Sequence, residues 1–145
     1  MLSVVLPAYN EEKMIQKAAD TIDRILNAEK IPYEIVFVND GSKDRTWEEI
    51  ERAAGRNPNV TGVNFSRNFG KESAMYAGLA SASGDCCAVM DCDLQHPPEK
   101  LVEMYRLWEQ GVEVVEGVKT DRGEESLAHR VAAKTFYRLI SEATH

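Results

Sequence analysis

The chain has 145 residues, of which 17 are basic and 24 are acidic, and its formal net charge is −7. Apolar residues make up 43% of the chain and charged residues 28%, a composition typical of a globular protein and not of a disordered one. The acidic balance argues against nucleic acid as a partner, and no apolar run approaches the ~20 residues that cross a bilayer. The first residues do not resemble a signal peptide, so we expect one cytoplasmic domain over residues 1–145.

The hydrophobic pattern predicts that strands and helices alternate along the chain. Short apolar or β-branched runs predict strands at residues 2–6, 34–39, 60–65, 86–90 and 112–118. Apolar residues at helical spacing predict helices at residues 11–26, 44–54, 69–82, 97–110 and 124–141. This alternation is typical of an α/β fold with a largely parallel sheet that helices cover on both faces.

Three local features carry more specific expectations. Asn10 is expected to cap the first helix, with Glu11 and Glu12 in its first turn, where the helix dipole favours acids. The run at residues 86–90 is wholly apolar, which predicts a strand buried on both faces. The cysteines Cys86, Cys87 and Cys92 are odd in number and crowded together, so we expect reduced core residues and no disulfide.

Polar residues follow three of the predicted strands, at residues 8–11, 39–42 and 91–95. In parallel α/β sheets, ligands bind outside the carboxyl ends of the strands. Acidic residues at three separate strand ends therefore predict one shared site.

The chemistry of this site has several interpretations from the residues alone. Asp91 and Asp93 could clamp a hard divalent cation, or they could belong to a solvated turn. A zinc site that uses Cys92 and His96 lacks the usual four Cys or His ligands. Lys71 could reach a nucleotide phosphate, or it could be an ordinary surface charge.

Other ligand-binding folds explain the pattern less well. The first strand is not followed by the Gly-x-Gly-x-x-Gly of dinucleotide-binding proteins, and no Walker loop is present. A flavodoxin-like or receiver-type signalling domain would share the alternation and the acidic pocket. It would leave residues 67–71 and the Asp-x-Asp-x-Gln pattern of residues 91–95 unexplained.

Four motifs together resemble a known family. They are Pro-Ala-Tyr-Asn-Glu at residues 7–11, Val-Asn-Asp-Gly-Ser-Lys-Asp at 38–44, Arg-Asn-Phe-Gly-Lys at 67–71, and Asp-Cys-Asp-Leu-Gln-His-Pro-Pro-Glu at 91–99. In this order they resemble the inverting glycosyltransferases of family 2, which have the Rossmann-like GT-A fold. Within that family the chain is most similar to the polyprenyl-phosphate glycosyltransferases, which include bactoprenol glucosyltransferases and dolichol-phosphate mannosyltransferases.

The resemblance implies a role for each matching residue. The nucleoside pocket would be lined by Pro7, Ala8, Tyr9 and Glu11. Asp40 would contact the base or ribose, and Lys71 would lie near the nucleotide. The catalytic pair Asp91 and Asp93, with Gln95, would hold Mg²⁺ or Mn²⁺ and, through it, the diphosphate of the donor.

The resemblance also implies a lipid-phosphate acceptor. A cationic cradle for that phosphate would come from Lys119, Arg122, Arg130 and Lys134. We expect transfer of a hexose, with UDP-glucose favoured over GDP-mannose, to a polyprenyl phosphate such as undecaprenyl or dolichyl phosphate, at the cytoplasmic face of a membrane. Family members are longer, so the chain is expected to be truncated at its C-terminus, and the alternative is a nucleotide-sugar-binding module without turnover.

Overall fold

The computed structural model describes residues 1–113, and in this part strands and helices alternate as predicted. The strands are β1 (Leu2–Ala8), β2 (Tyr33–Asn39), β3 (Val60–Asn64) and β4 (Cys86–Val89), and the helices are α1 (Ile15–Ala28), α2 (Thr46–Arg56), α3 (Lys71–Ser81) and α4 (Lys100–Glu109). The predicted strand at residues 112–118 runs past the described residues, and the predicted helix at 124–141 lies outside them.

The four strands form one parallel sheet in the order β3-β2-β1-β4. β1 therefore lies between β2 and β4, with Val4 opposite both Ile35 and Ala88. The α/β expectation is confirmed. Strands β2 and β3 follow on one side of β1, and β4 is added on the other side. The direction in which strands are added therefore reverses at β1.

The two inner strands are buried on both faces. Val5, Val36 and Val38 lie on one face, where they pack with Ala74 of α3. Alternate residues such as Leu6 and Phe37 are equally buried and point to the other face. Burial on both sides explains why β1 and β2 are continuous apolar runs.

β4 corrects the expectation of a strand buried on both faces. Ala88 is buried, whereas Cys86 is half-buried and Cys87 is exposed. Among the described residues β4 pairs with β1 alone, so fewer neighbours cover its side chains than cover β1 or β2. The three cysteines are free, as expected, but of the three only Cys92 is a core residue.

The start of α1 also differs from the prediction. α1 begins at Ile15, and Met14 occupies the capping position without a side-chain hydrogen bond. Asn10 adopts a left-handed backbone conformation with φ 53° and lies in the loop before the helix. Its side chain is used elsewhere, because its Oδ1 accepts a hydrogen bond of 2.9 Å from the Lys43 N–H.

The chain divides after Val102 into two compact units. Within the second unit, Arg106 forms an ion pair of 2.7 Å with Glu109, and the rings of Tyr105 and Trp108 lie 5.4 Å apart. The expectation of one domain over residues 1–145 stays a prediction. In the described part of the chain, no helix is both long enough and apolar enough to span a membrane.

Two helical glycines give a matched test of the packing between α3 and the sheet. A Cβ on Gly78 would lie 2.3 Å from Cγ1 of the buried Val5, whereas a Cβ on Gly55 of α2 would meet nothing within 4 Å. Overpacking costs about 1–3 kcal/mol, which exceeds the gain of about 1 kcal/mol when alanine replaces glycine in a helix. We expect Gly78→Ala to lower the free energy of unfolding in urea and Gly55→Ala to raise it by about 0.5–1 kcal/mol. Equal effects of the two substitutions would contradict this packing.

Candidate functional site

The loops that follow β1, β2 and β4 meet at the carboxyl edge of the sheet. Ala8 pairs with Asn39 in the sheet, so β1 and β2 end side by side. β4 ends opposite Val5, and the chain then runs along the end of β1, where the Cys92 thiol donates to the Pro7 carbonyl oxygen at 3.5 Å. The reversal of strand order at β1 places the crevice of the fold at this edge.

The loop after β1 is hydrogen-bonded to the loop after β2. The Asn10 N–H donates to Ser42 Oγ at 2.9 Å, and the Glu11 N–H donates to Thr46 Oγ1 at 2.8 Å. Together with the bond from Lys43 to Asn10, these contacts fix the backbone that carries Glu11. This is the physical reason that residues 10–14 do not continue α1 towards its N-terminus.

Asp44 supports the same junction. Its Oδ1 accepts hydrogen bonds from the hydroxyl and the N–H of Thr46, the first residue of α2. Burial acts to raise the pKa of Asp44, but these hydrogen bonds and one from the Glu12 N–H outweigh it, so the pKa is lowered. Asp44 is therefore held as a carboxylate that binds Thr46 at the start of α2.

Asp40 joins β1 to the segment before α3. Its side chain is only 4% exposed, and its Oδ1 accepts a hydrogen bond of 2.8 Å from the Phe69 N–H. Its own N–H donates to the Ala8 carbonyl oxygen at 2.9 Å. The structure thus gives Asp40 a positioning contact. Its predicted contact with a base or ribose stays a prediction.

Gly41 allows the loop after β2 to approach the backbone of residues 67 and 68 closely. Its φ is +65°, and a Cβ at this position would lie 2.2 Å from the backbone carbon of Arg67 and 2.3 Å from the nitrogen of Asn68. Only glycine allows the two backbones to approach so closely in this conformation. The motif at residues 67–71 is thereby held against the end of β2.

The two aspartates of the fourth motif follow β4 directly. Leu94 has φ 57°, and the Gln95 N–H donates to Asp93 Oδ1 at 3.1 Å. Asp91 forms an ion pair with Lys71, the first residue of α3, at 2.6 Å between Oδ1 and Nζ. The motif at residues 67–71 and the motif at 91–99 therefore meet through opposite charges.

Carboxylates from separate loops share one electrostatic environment. The pKa of Glu11 is raised by burial and then by the negative charges of Asp93, Asp91 and Asp44. Like charges brought this close favour either a proton or a bound cation. The cations that would relieve the repulsion are Lys71, which is present, and a metal ion.

The donor atoms available suit a hard divalent cation. The carboxylates of Asp91 and Asp93 and the amide of Gln95 offer oxygen ligands, which Mg²⁺ and Mn²⁺ prefer, and phosphate and water oxygens would complete such a site. No group of three or more His, Cys, Asp or Glu side chains in residues 1–113 is arranged to hold a metal by itself. The oxygen atoms of these residues suit a hard divalent cation in their chemistry, and their role as its ligands stays a prediction.

Zinc fits this site poorly. Cys92 is buried, and burial, followed by the charges of Glu11, Asp91 and Asp93, raises the pKa of its thiol. A thiol in these surroundings resists the deprotonation that zinc binding requires. His96 is exposed to solvent.

The remaining predicted residues have different outcomes. Tyr9 is 44% exposed beside this edge, and Pro7 is half-buried. Ala8 is buried and its carbonyl oxygen accepts the Asp40 N–H, so its place in the nucleoside pocket stays a prediction. The cationic residues predicted for an acceptor phosphate, Lys119, Arg122, Arg130 and Lys134, lie outside the described residues. The sequence analysis did not predict the loop–loop contacts made by Asn10, Ser42, Asp44 and Thr46. The one signal for them was the Asp-x-Thr pattern at residues 44–46, which is typical of a helix start.

A separate cleft of about 330 Å³ lies between α1 and α2. Its polar walls are paired with each other, since Arg56 contacts Gln16 and Asp20, and the Asn57 side chain donates to the Tyr33 hydroxyl at 3.0 Å. The cleft shares no residue with the carboxylate site, so it does not compete as the site of the predicted chemistry.

With the geometry in place, the comparisons with known proteins decide the family. Residues 3–143 match the model of the family described as Glycosyl transferase family 2. The chain belongs to this family. The resemblance inferred from the four motifs is thus confirmed.

Named relatives cover almost the whole chain. The chain is 42% identical over 142 residues to an uncharacterized glycosyltransferase, YkcC, of Bacillus subtilis (strain 168), which covers 98% of the chain and 44% of the relative. It is 39% identical over 138 residues to a bactoprenol glucosyl transferase of Shigella phage SfV, and this alignment covers 95% of the chain and 45% of the relative. The chain thus spans less than half the length of these relatives.

Solved structures with bound ligands confirm the GT-A fold. One is a mannosyltransferase from Pyrobaculum calidifontis in complex with GDP-Man and Mn²⁺, with a TM-score of 0.58 and 26% identity over 70% of this chain and 30% of that one. Another is glucosyl-3-phosphoglycerate synthase from Mycobacterium tuberculosis in complex with Mn²⁺, UDP-glucose and phosphoglyceric acid. Its TM-score is 0.55, with 28% identity over 72% of this chain and 37% of that one.

The raised pKa of Glu11 predicts how stability depends on pH. Because the folded protein binds this proton more tightly than the unfolded chain, the contribution of Glu11 to stability decreases as pH rises from its ordinary pKa of 4.5 through the raised value. We expect Glu11→Gln to raise the melting temperature at pH 7 and to flatten the pH dependence above 4.5. Glu51→Gln, at an exposed position of α2, is the matched control and should change neither. A lower melting temperature for Glu11→Gln at pH 7 would refute the assignment.

Proposed function

We propose that the chain is the nucleotide-sugar-binding part of an inverting, metal-dependent hexosyltransferase. The donor is a nucleoside-diphosphate hexose, with UDP-glucose favoured, and the acceptor is a polyprenyl phosphate at the cytoplasmic face of a membrane. The proposal depends above all on one observation, the convergence of Glu11, Asp91 and Asp93 beside Lys71 at the carboxyl edge of the sheet. Such a site combines hard oxygen ligands with a cation, which is what a metal–diphosphate complex requires.

The diphosphate would be bound by the aspartates through a metal ion and by the lysine directly. Mg²⁺ or Mn²⁺ would be held by Asp91, Asp93 and Gln95. The metal would neutralise the negative charge that develops on the departing nucleoside diphosphate. Lys71 would place its ammonium group beside a phosphate oxygen. Both aspartates lie past the end of β4, so their positions come from the sheet and from the backbone turn at Leu94.

The nucleoside would lie over the loop that follows β1. Tyr9 offers an exposed ring for stacking on a base. It is preceded at the end of β1 by the half-buried Pro7 and the buried Ala8. Asp40 would contribute its second carboxylate oxygen to the ribose or base, because its Oδ1 already accepts the Phe69 N–H. Hydrogen bonds between the two neighbouring loops fix the backbone around this proposed pocket.

A phosphate acceptor explains why the site needs no strong general base. The oxygen of a lipid phosphate is already ionised near pH 7, so no side chain has to remove a proton before attack. Attack on the anomeric carbon from the face opposite the leaving diphosphate would invert its configuration. The acceptor instead needs positive charge, for which we propose Lys119, Arg122, Arg130 and Lys134.

The donor choice is supported by a name and by a motif. The phage relative is named for transfer of glucose to bactoprenol, and the Asp-Leu-Gln-x-Pro-Pro-Glu form of residues 93–99 resembles that branch. Solved relatives with bound donors hold GDP-Man in one case and UDP-glucose in another, so GDP-mannose is the alternative. Because the chain covers less than half of its relatives, binding without turnover is the alternative for the chain by itself.

A nucleotide panel with Mn²⁺ tests the donor site. A ligand that binds only the folded protein raises its melting temperature, so UDP with Mn²⁺ should shift the transition and GDP should not. Asp93→Ala should lower the metal-dependent affinity for UDP by about tenfold to a hundredfold in calorimetry, because one charge-assisted contact is worth roughly 1.5–3 kcal/mol. The fold should survive, since Asp93 lies past the strand end.

The control for this experiment is Glu51→Ala, which removes an exposed acid from α2 and should leave UDP affinity unchanged. A shift with GDP and none with UDP would reverse the donor choice. Unchanged metal-dependent affinity in Asp93→Ala would refute its assignment as a metal ligand.

The acceptor end is tested with a polyprenyl phosphate at a fixed concentration of donor. Charge reversal by Arg130→Glu together with Lys134→Glu should lower acceptor affinity by about tenfold or more, since each charge-assisted phosphate contact is worth roughly 1.5–3 kcal/mol. Donor binding should be spared, because the proposed donor contacts come from other segments of the chain. Equal acceptor KM and kcat in the variant and the parent would show that these two residues are ordinary surface charges.

A further inference from the structure

The ion pair between Lys71 and Asp91 engages a carboxylate oxygen that the proposed metal would use. Asp91 Oδ1 and Lys71 Nζ lie 2.6 Å apart, closer than an ordinary surface pair. Asp91 is at the same time one of the two carboxylates we assign to a divalent cation. While the ammonium group keeps this contact, it competes with the metal for Oδ1 of this carboxylate.

Lys71 has the freedom to leave this contact. Its side chain is 61% exposed and that of Asp91 is 40% exposed, so neither is locked in the core. The lysine can thus move from the carboxylate to a nearby anion at little steric cost.

We propose that Lys71 is an internal counter-ion that competes with the divalent cation for Asp91 and moves to a phosphate of the nucleotide when both ligands bind. The inference rests on the proposed function and adds a coupling between the two ligands. Without nucleotide, the metal has to displace an ammonium group, so it binds weakly. With nucleotide, the phosphate provides a new partner for the ammonium group and Asp91 is released to the metal.

The electrostatics of the site give this exchange a direction. Asp91 pairs with Lys71, and the negative charges of Asp91 and Asp93 also act on Glu11, whose pKa is raised first by burial and then by these charges, so positive charge is favoured at this site. Lys71 provides this charge without a metal. When a metal brings two positive charges, the lysine becomes surplus at Asp91 and is attracted by the negative diphosphate.

Two binding measurements on Lys71→Met test the exchange, and they have opposite expected signs. Mn²⁺ alone, followed by the loss of its free-ion electron paramagnetic resonance signal, should bind the variant about two- to fivefold more tightly than the parent, the range of an exposed ion pair. UDP at saturating Mn²⁺, followed by calorimetry, should bind about tenfold more weakly, because one charge-assisted phosphate contact is lost. A purely structural role for Lys71 would weaken both.

Matched variants separate the local effect from net charge. Lys30→Met removes the same charge from the exposed turn that precedes β2, at the opposite edge of the sheet, and should change neither measurement. Lys71→Arg keeps the charge and should restore weak Mn²⁺ binding. Tighter Mn²⁺ binding in Lys30→Met as in Lys71→Met would overturn the proposal, because the effect would then be one of overall charge.

Different binding results would overturn the exchange at Lys71 and the proposed function. If the parent binds Mn²⁺ with UDP, but Lys71→Met binds Mn²⁺ alone no more tightly or UDP no more weakly, the exchange is overturned and the donor site stands. If the parent binds neither UDP nor GDP at saturating Mn²⁺, the proposed function is overturned and the exchange falls with it.

Discussion

The position of β1 between β2 and β4 is the constraint on which the rest of the site depends. In a parallel sheet every carboxyl end lies at the same edge, so loops that are far apart in the sequence meet there. Glu11 follows β1, Asp40 follows β2, and Asp91 follows β4. With β4 at any other place in the sheet, its aspartates would face a different loop and the shared electrostatic environment would be lost.

This gathering of acids is costly and is supported by the surrounding backbone. The raised pKa of Glu11 reflects burial and neighbouring negative charge, which disfavour the folded state near neutral pH. Hydrogen bonds from Asn10 to Ser42 and from Lys43 to Asn10 hold the loops together in spite of the repulsion. Such a gathering of like charges is typical of functional sites, and it is consistent with the cation that we propose for this one.

The order of elements and the edge that carries the site could be predicted from the sequence, because both follow from local periodicity and from a general property of parallel sheets. The predicted helix cap at Asn10 was wrong, because its side chain instead accepts a hydrogen bond from the N–H of Lys43. Lys43 is distant in sequence, so local pattern could not show this contact. The exposure of Cys87 depends on which strands pair with β4, which an apolar run does not specify. The pairing of Lys71 with Asp91 likewise joins two motifs that spacing alone does not connect.

The net charge of the protein makes the proposed chemistry a problem of charge balance. Residues 1–116 contain 12 basic and 20 acidic residues, so this part would repel a nucleoside diphosphate from a distance. Binding then requires positive charge at the site itself, from Lys71 and from a divalent cation. In the proposed site the metal neutralises the carboxylates and Lys71 neutralises a phosphate, so the diphosphate is attracted only where both cations are present. The acidic surroundings then disfavour any anion that does not bring or meet a metal. An acidic protein can in this way be selective for a metal-bound nucleotide.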